Sequence, residues 1–394
     1  MFDVGTIFNI EGSDTGRACF RHLVFQELQN PESWKALSDE LDSQGVLKAD
    51  NAGLLKDMLE KFKQTGAPTH HGGMIERETG KVFAKGYPGK PSNLTLIRKF
   101  KVLKPELKRL LGWYFYDYEV FSGQDGYVVP LEYIVRFGLT SGSSILRKYT
   151  AMNASGKSAY LAELGVDTPL RSWMQFTPPV MDLTTKFEPE DRNISRQEAS
   201  LTSSLGGAGF AKSMVMVQLG AYMLRRIFSR MGLFLWDLKW ELARDGEDLV
   251  FVDTIDTDSV RATVNVEDGG KSYFVHFNKQ TMRDYYRIMH PEWLTAINEA
   301  KSAAAKTGQP FTQVLAEGQQ SGKYAGTPEL DETFHDIQKA KFSMIQHFIQ
   351  IQDSGEDVRA AAERIAKMEI EYYLKSNKKE SYEALNVAVK ERAG

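Results

Sequence analysis

The sequence predicts an α+β protein, and three observations favour that class. Segments with strand-like patterns are concentrated in the first three quarters of the 394-residue chain. The last hundred residues are rich in alanine and have a helical pattern. No internal repeat is present, and strands that precede a helical region are typical of α+β folds.

Composition excludes several classes of protein. Hydrophobic residues make up 42% of the chain and charged residues 26%, which is ordinary for a globular protein of two or three structural units. The net charge of −3 gives no electrostatic argument for nucleic-acid binding. Cys19 is the only cysteine, which excludes an internal disulfide. No membrane-length apolar segment and no secretion signal are recognisable, so we expect a cytoplasmic protein.

The elements of the first third are predicted from local patterns. Residues 1–10 resemble a strand, and apolar residues at helical spacing predict a helix over 15–29. A second helix is expected over 51–66, with Asn51 as a candidate cap. Glycine and proline in residues 69–93 predict turns and short strands.

The remaining elements follow in order. β-Branched and aromatic residues predict a strand over 127–139. Residues 150–175 are polar and irregular, and we expect a mobile loop there. A Ser-x-x-Glu pattern at Ser195 predicts a helix start, and residues 209–232 form a long amphipathic pattern. A pair of strands follows, and after it the chain is helical with a Gly-rich break at 317–326.

The strand pair carries an unusual pattern of charge. Asp237, Lys239 and Glu241 alternate with tryptophan and leucine, so the charged side chains share one strand face. The following Asp-Gly dipeptide predicts a hairpin. If the loop is centred on Glu247, Glu241 lies directly opposite Asp253.

Like charges facing each other across two strands are destabilising. A bound Mg²⁺ reverses that effect, because Mg²⁺ prefers carboxylate oxygens, waters and substrate phosphates. Lys239 between the carboxylates is suited to neutralise a phosphate or a carboxylate. The alternative is a hairpin with one solvated, charged face, and the Asp-x-Lys-x-Glu triplet alone favours that alternative.

Two further segments favour a phosphate-binding site. Arg136 ends a predicted strand and is followed by a Gly/Ser/Thr loop that includes Ser143. Backbone N–H groups beside an arginine form a natural phosphate cradle, although such a loop taken alone is more often a turn. Lys186 and Asp191 lie in a loop bounded by prolines, where Lys186 alone is typical of a surface lysine.

Five segments, in this order, resemble the phosphoribosylaminoimidazole-succinocarboxamide synthase (SAICAR synthetase) family. The matching segments are "GAPTHHGGM", "VVPLEYIVRFGLTSGS", "FTPPVMDLTTKFEPEDRNIS", "GLFLWDLKWELARDGEDLVFVDTIDTDSVR" and "NKQTMRDY". The resemblance spans roughly residues 1–290, with a weaker similarity in "TPELDETFHDIQKAKFSMIQHF". Five modest motifs in register are hard to obtain by chance.

The resemblance implies a two-lobed fold related to ATP-grasp enzymes, with ATP between the lobes. Residues 1–125 would form a small N-terminal nucleotide lobe, 126–290 the central catalytic lobe, and 291–394 a helical C-terminal region. The chain begins at a point already inside the family pattern, so the family's first hairpin, whose Gly-Lys element covers the ATP phosphates, has no counterpart.

The implied reaction joins the carboxylate of carboxyaminoimidazole ribonucleotide (CAIR) to the amine of L-aspartate. ATP would phosphorylate the carboxylate, and the aspartate nitrogen would displace phosphate from the acyl phosphate. Mg²⁺ and cationic side chains are needed to shield the negative charge around the transferred phosphoryl group. CAIR, L-aspartate and ATP are then the partners, and nucleic acid and membranes are not. The oligomeric state stays open, a homo-oligomer included.

The resemblance also implies a role for individual residues. Glu241 and Asp253 would bind Mg²⁺–ATP, and Asp237 and Lys239 would line the reacting centre. The remaining candidates would bind or enclose the substrates: Arg136, Ser143, Lys186, Asp191, Arg261 and Arg283. Asp256 and Asp258 are weaker candidates, since each can simply cap or turn the chain.

Several positions depart from the family pattern. Thr254 stands where an acidic residue usually follows the metal aspartate, and the phosphate loop has an additional serine. Thr257 and Thr263 replace the usual proline and aromatic residue that flank the last arginine. Two alternatives therefore stay open: a ligase of the same chemistry with another carboxylate substrate, and a non-catalytic homologue that binds nucleotide.

Overall fold

A computed structural model describes residues 4–5, 7–49, 52–351 and 356–388 of the chain. The helices in this described part are α1 (Ser13–Gln29), α2 (Pro31–Ser43), α3 (Gly53–Thr65), α4 (Ser144–Ala151), α5 (Ala154–Leu164), α6 (Arg196–Thr202), α7 (Gly206–Arg230), α8 (Lys279–Met289), α9 (Pro291–Thr307), α10 (Phe311–Gln320), α11 (Glu332–Ile351), α12 (Glu356–Lys375) and α13 (Lys379–Asn386). Short 3₁₀ helices cover Val46–Lys48 and Glu119–Phe121.

The strands of the same residues are β1 (His71–Ile75), β2 (Val82–Phe83), β3 (Thr95–Ile97), β4 (Glu106–Leu110), β5 (Trp113–Asp117), β6 (Tyr127–Val128), β7 (Leu131–Gly138), β8 (Gln175–Thr185), β9 (Phe234–Asp245), β10 (Asp248–Val252), β11 (Val260–Asp268), β12 (Lys271–His276) and β13 (Val387–Ala388). Helices and antiparallel strands are thus both abundant, and the predicted α+β class is confirmed. No helix in the described ranges has the length and apolarity that crossing a membrane requires.

The chain divides into two compact units. The larger unit contains residues 17–262, and the smaller unit contains residues 1–16 and 263–394. The assignment of a nucleotide lobe to 1–125, a catalytic lobe to 126–290 and a helical region to 291–394 remains a prediction.

The larger unit is built on an antiparallel sheet in which β7 lies between β8 and β9. Strands β10 and β6 both pair with the second half of β9. Helix α7 packs on β7 and β9, and it approaches closely at Gly220. A Cβ at this position would lie 2.7 Å from Phe251 Cζ, so glycine allows the helix to contact the aromatic face of the sheet.

Two small sheets complete the larger unit. Strand β1 lies between β2 and β3, and β4 pairs only with β5. The β4–β5 hairpin is exposed on both faces, and its tip carries Leu111 and Trp113 with 91% and 77% of their surfaces exposed.

The smaller unit combines strands β11, β12 and β13 with helices α8 to α13. A buried ion pair connects two of its helices: Lys341 Nζ on α11 donates to Glu369 Oε2 on α12 at 2.5 Å. Lys341 also donates to the backbone carbonyl of His276 at 2.6 Å, so the buried ammonium has several acceptors.

Most predicted elements are confirmed. The helix expected over 15–29 is α1, and the amphipathic pattern at 209–232 is α7. Ser195 caps α6, because its Oγ accepts the Glu198 backbone N–H at 3.1 Å. Helix α3 corresponds to the pattern at 51–66, although the proposed cap Asn51 lies outside the described residues.

Two local predictions are wrong. The described residues among 1–10 are not in a strand. Residues 150–175 contain helix α5 instead of an irregular loop. Asn153 caps it by accepting the Gly156 N–H, and Gly165 ends it with a φ of +69°.

Candidate active site

The charged residues of β9 lie against β7. The register places Lys239 opposite Ile134 and Asp237 opposite Arg136. Asp237 and Glu241 are only 5% and 4% exposed, so this strand face is buried as well as charged. The alternative of a solvated face is therefore wrong, and the buried charges need partners.

Lys239 is the centre of one charge cluster. Its Nζ donates to Glu132 Oε1 at 2.6 Å and to Glu241 Oε1 at 2.8 Å, and it lies 3.8 Å from Asp253 Oδ2. Lys186 Nζ also donates to Glu241 Oε1 and lies 3.9 Å from Glu132 Oε1. Two lysines and three carboxylates thus share one region at the edge of β9.

Lys239 stays protonated in this cluster. Burial acts to lower the pKa of Lys239, but Glu241 and Glu132 outweigh burial and hold that pKa above its usual value. Lys239 is therefore a fixed positive charge and not a general base. Burial raises the pKa of the nearby Asp191 carboxyl, and Glu132 adds to the rise.

Glu241 and Asp253 are in contact through their side chains. Burial raises the pKa of Glu241, and a side-chain hydrogen bond with Asp253 adds to the rise, while the two neighbouring lysines oppose it. Burial also acts to raise the pKa of Asp253, but the hydrogen bonds from Glu241 and from the Thr254 backbone lower it overall. Two neighbouring carboxylates provide oxygen ligands of the kind that a divalent cation such as Mg²⁺ takes.

The predicted register of the hairpin is wrong by one residue. Val252, and not Asp253, lies opposite Glu241, because the loop consists of Gly246 and Glu247. Asp253 follows the strand end and has a left-handed φ of +66°. This backbone turn brings the Asp253 carboxylate to Glu241, so the side-chain pair forms although the strand positions are not opposite.

A cavity of about 520 Å³ opens beside this pair of carboxylates. Its walls combine apolar side chains with charged ones. The apolar residues are Ile97, Phe100, Val102, Val128, Phe187 and Val252. Lys186, Glu241 and Asp253 lie at the same cavity, as does Arg21 from α1. A mostly apolar wall with a few charged groups is typical of nucleotide and cofactor pockets of this size.

The donor set fits a magnesium ion bound together with a nucleotide. No group of three or more His, Cys, Asp and Glu in the described ranges is arranged to hold a metal alone. Mg²⁺ needs only one or two carboxylates when substrate phosphates and waters complete its coordination. Glu241 and Asp253 supply two carboxylates of the required kind.

A second cluster surrounds Asp237. Its Oδ2 accepts Arg136 NH1 at 3.1 Å and Arg261 NH1 at 2.7 Å. Arg136 also donates to Asp182 Oδ2 at 3.2 Å and to Ser144 Oγ at 3.3 Å. Arg136 is thus fixed between two carboxylates and is not a freely exposed cation.

Unpartnered donors lie beside these arginines. Arg136 Nε, Thr140 Oγ1 and Ser143 Oγ are buried and have no hydrogen-bond partner in the structure. Buried polar atoms normally have partners, and an unsatisfied one requires an explanation. A phosphate or carboxylate oxygen bound at the 140–144 loop would supply the missing acceptors.

The structure brings most predicted site residues into these two clusters. The first cluster contains Lys186, Lys239, Glu241 and Asp253, with Asp191 close to its lysines. The second contains Arg136, Asp237 and Arg261, next to the loop with Ser143. Arg283 lies on α8 in the smaller unit.

Glu132 and Asp182 have contacts in the clusters but were given no role from sequence. Glu132 lies four residues before Arg136 on β7, and this even spacing puts both on one strand face. The spacing is a signal that could have identified Glu132. Asp182 on β8 lies opposite Ile134, and this register is not visible in a single sequence.

Comparisons with known proteins identify related chains. Residues 83–299 match the family model described as SAICAR synthetase. A putative phosphoribosylaminoimidazole-succinocarboxamide synthase of Archaeoglobus fulgidus is 30% identical over 246 residues, which cover 62% of this chain and 66% of the relative. A phosphoribosylaminoimidazole-succinocarboxamide synthase of Thermoplasma acidophilum is 31% identical over 172 residues, 43% of this chain and 55% of the relative.

Solved structures give weaker similarities. A Saccharomyces cerevisiae SAICAR synthase complexed with SAICAR has a TM-score of 0.46 and 15% identity, and the match covers 90% of this chain and 87% of that one. A type-2 SAICAR synthetase in complex with ADP has a TM-score of 0.38 and 17% identity, covering 71% and 78%.

Proposed function

Because this chain belongs to the SAICAR synthetase family, we propose that it is an ATP-dependent carbon–nitrogen ligase. The substrates in this proposal are CAIR, L-aspartate and ATP, and the products are SAICAR, ADP and phosphate. The observation that carries the proposal is the cluster of Lys186, Lys239, Glu241 and Asp253, because all of these except Lys239 line a nucleotide-sized cavity.

The bonds formed and broken define what the site must do. A carboxylate oxygen of CAIR attacks the γ-phosphorus of ATP, and ADP leaves. The aspartate nitrogen then attacks the acyl carbon, phosphate leaves, and the nitrogen loses a proton. Both steps gather negative charge, so the site needs fixed positive charge.

The first cluster supplies that charge. Lys239 and Lys186 are held by Glu132 and Glu241 in a partly buried position, 33% and 21% exposed, where their charge is screened less than in water. Glu241 and Asp253 would hold Mg²⁺, which shields the nucleotide phosphates when it is bound. Asp191, in the loop with Lys186, would help to enclose the substrates.

The second cluster would bind the ribonucleotide. The buried donors of Arg136 and Ser143 and the partly exposed Arg261 are suited to its phosphate. Asp237 holds both arginines and would orient them next to the reacting centre. Glu241 lies four positions after Asp237 on β9, a distance on the order of 13 Å along an extended strand. This separation suits one substrate that extends from one cluster to the other. Arg283 belongs to the same proposal as a further ribonucleotide contact.

Phosphate release tests the reaction. We would incubate the purified chain with Mg²⁺, ATP, CAIR and L-aspartate, omit each in turn, and measure free phosphate and SAICAR. The proposal requires release that depends on all four. Release that persists with another carboxylate and not with CAIR would support the specialised ligase. A folded protein that binds ATP without any release would support the non-catalytic homologue. A cytoplasmic location and a homo-oligomeric state also belong to this proposal, and fractionation and light scattering test them.

A further inference from the structure

Arg21 brings a positive charge to the cavity from outside the sheet. It lies on α1. The cavity is also lined by Lys186 and Arg98, two cations that lie in segments following strands β8 and β3. Both cations are engaged: Lys186 with Glu241, and Arg98 with Asp245 through two guanidinium nitrogens. Arg21 has a weaker contact with its carboxylate partner, Asp256.

The guanidinium of Arg21 is incompletely satisfied. Its NH2 lies 3.4 Å from Asp256 Oδ2, which is the longest of the arginine contacts to that carboxylate. Its Nε is buried and has no hydrogen-bond partner in the structure. A guanidinium carries five N–H donors in a fixed fork, and a buried donor without an acceptor is costly. An oxyanion in the cavity would complete the fork.

Asp256 is already held by a different arginine. Arg17 donates to Asp256 Oδ2 through Nε at 3.2 Å and NH2 at 3.1 Å, and its NH1 lies 2.9 Å from Asp258 Oδ2. Arg17 lies one helical turn before Arg21 on α1, and it does not line the cavity. Asp256 is therefore an anchor that both arginines share, and Arg21 is the one that reaches the cavity.

The carboxylates that line the cavity with Arg21 are Glu241 and Asp253, and their ion pairs are with Lys186 and Lys239. His70 also lines the cavity.

We infer that Arg21 binds a phosphate group of the nucleotide in this cavity, which Glu241 and Asp253 also line. This inference rests on the proposed function, because it needs ATP as the occupant of the cavity. The chemistry that Arg21 recognises is an oxyanion, which both ATP and L-aspartate possess. The apolar walls favour the nucleotide, since an adenine base can use them and aspartate has no comparable surface.

The test compares nucleotide and nucleoside binding. We would measure the Kd values of ATP, ADP and adenosine by calorimetry for the intact chain and for Arg21→Gln. Charge-assisted hydrogen bonds to phosphate are strong, so we expect ATP and ADP affinity to fall about 10-fold to 100-fold. Adenosine lacks phosphate, and its affinity should change by less than about twofold. Arg21→Lys keeps the charge without the fork, and it should give an intermediate loss.

Arg17→Gln is the matched control. It removes an arginine from the same helix and the same carboxylate, but from outside the cavity, so ATP affinity should stay within about twofold. An equal loss of adenosine affinity in Arg21→Gln would indicate a structural effect and overturn the inference. If Arg21→Gln does not fold, Arg21→Lys against Arg17→Lys decides in the same way.

The inference and the proposed function fail in different ways. If the unaltered chain does not bind ATP, the proposed function fails and the inference fails with it. If the chain binds ATP and Arg21→Gln binds it equally well, only the inference is wrong. A raised KM for L-aspartate with unchanged ATP affinity would assign the oxyanion to aspartate and overturn the nucleotide assignment.

Discussion

Arg136 and Arg261 share the carboxylate of Asp237 but differ in depth. The side chain of Arg136 is 2% exposed, and that of Arg261 is 24% exposed. Removing one partner of a buried pair leaves an uncompensated charge, which costs about 3–5 kcal/mol. Arg136→Ala should therefore lower the free energy of unfolding by about 3 kcal/mol, in addition to weakening ribonucleotide binding.

Arg261→Ala is the comparison. Its partial exposure should limit the loss to about 1 kcal/mol. Urea unfolding followed by circular dichroism measures both variants. Equal losses would mean that burial does not set the cost. An unchanged KM for CAIR in a folded Arg136→Lys variant would remove Arg136 from the substrate site.

Glu241 is the carboxylate with the strongest structural argument for a direct role in turnover. Glu241→Gln keeps the shape and the contacts with Lys186 and Lys239 but removes the metal-binding charge. We expect Mg²⁺-dependent turnover to fall by at least about 100-fold, which is the scale of lost electrostatic stabilisation of a transition state. Glu247→Gln in the exposed hairpin loop is the control and should retain activity. Unchanged turnover in Glu241→Gln would exclude a metal-binding role.

The raised pKa of Glu241 predicts a pH dependence of stability. Between the ordinary pKa of a glutamate and this raised value, the folded chain binds more protons than the unfolded chain. The contribution of Glu241 to stability is therefore fully present below the ordinary pKa and is lost as the pH rises through the raised one. Glu241→Gln should gain stability relative to the parent as the pH rises above the ordinary glutamate pKa of about 4. A difference in unfolding free energy that does not change with pH contradicts the assignment.

At the level of elements, the hairpin of β9 and β10 separates what sequence can predict from what it cannot. Alternation placed Asp237, Lys239 and Glu241 on one face, because the period of a strand is a local property. The register depended on the loop, and a two-residue loop shifted it by one residue from the prediction. The left-handed backbone of Asp253, which restores its contact with Glu241, depends on tertiary contacts and has no sequence signal.

The loop of this hairpin is a specific test of its geometry. Gly246 has a φ of +63°, and a Cβ there would meet no atom within 4 Å. The only cost of Gly246→Ala is then backbone strain, about 1 kcal/mol for an L-residue in the left-handed region. Thermal unfolding measures it. Gly207→Ala is the control, because Gly207 has ordinary φ and equally open space and lies in the first turn of α7. A neutral Gly246→Ala variant would contradict the described turn.

Helix α5 is an element whose existence the local sequence pattern does not reveal. Its residues are largely small or polar and contain a glycine, so the apolar periodicity that reveals α1 and α7 is weak. Its caps are Asn153 and Gly165, which are residue types that commonly cap helices, but caps without periodicity do not predict a helix. Tyr160, which packs into a buried cluster with Leu139 and Phe176, shows that tertiary packing stabilises this segment.

At the scale of the whole molecule, the family motifs predicted the site better than the physical patterns did. The triplet on β9 alone favoured a solvated face. The resemblance instead grouped Lys186 and Asp191 with the residues of β9, across fifty positions of sequence. The contacts of Glu132, Asp182 and Arg21 required the strand register and the placement of α1. These are long-range properties, and one sequence does not determine them.

The two compact units provide the last prediction, because every cavity residue belongs to the larger unit. In the smaller unit, Glu369→Gln leaves the Lys341 ammonium buried without its counter-charge. Breaking a buried pair costs about 3–5 kcal/mol, whereas replacing both partners with apolar residues is often neutral. We therefore expect Glu369→Gln to increase hydrogen exchange in 263–388, and Lys341→Met with Glu369→Leu to restore protection.

ATP should increase protection within 17–262 in the parent and in both variants, since bound ligand stabilises the unit that holds it. ATP protection that disappears in Glu369→Gln would show that the nucleotide site depends on the smaller unit.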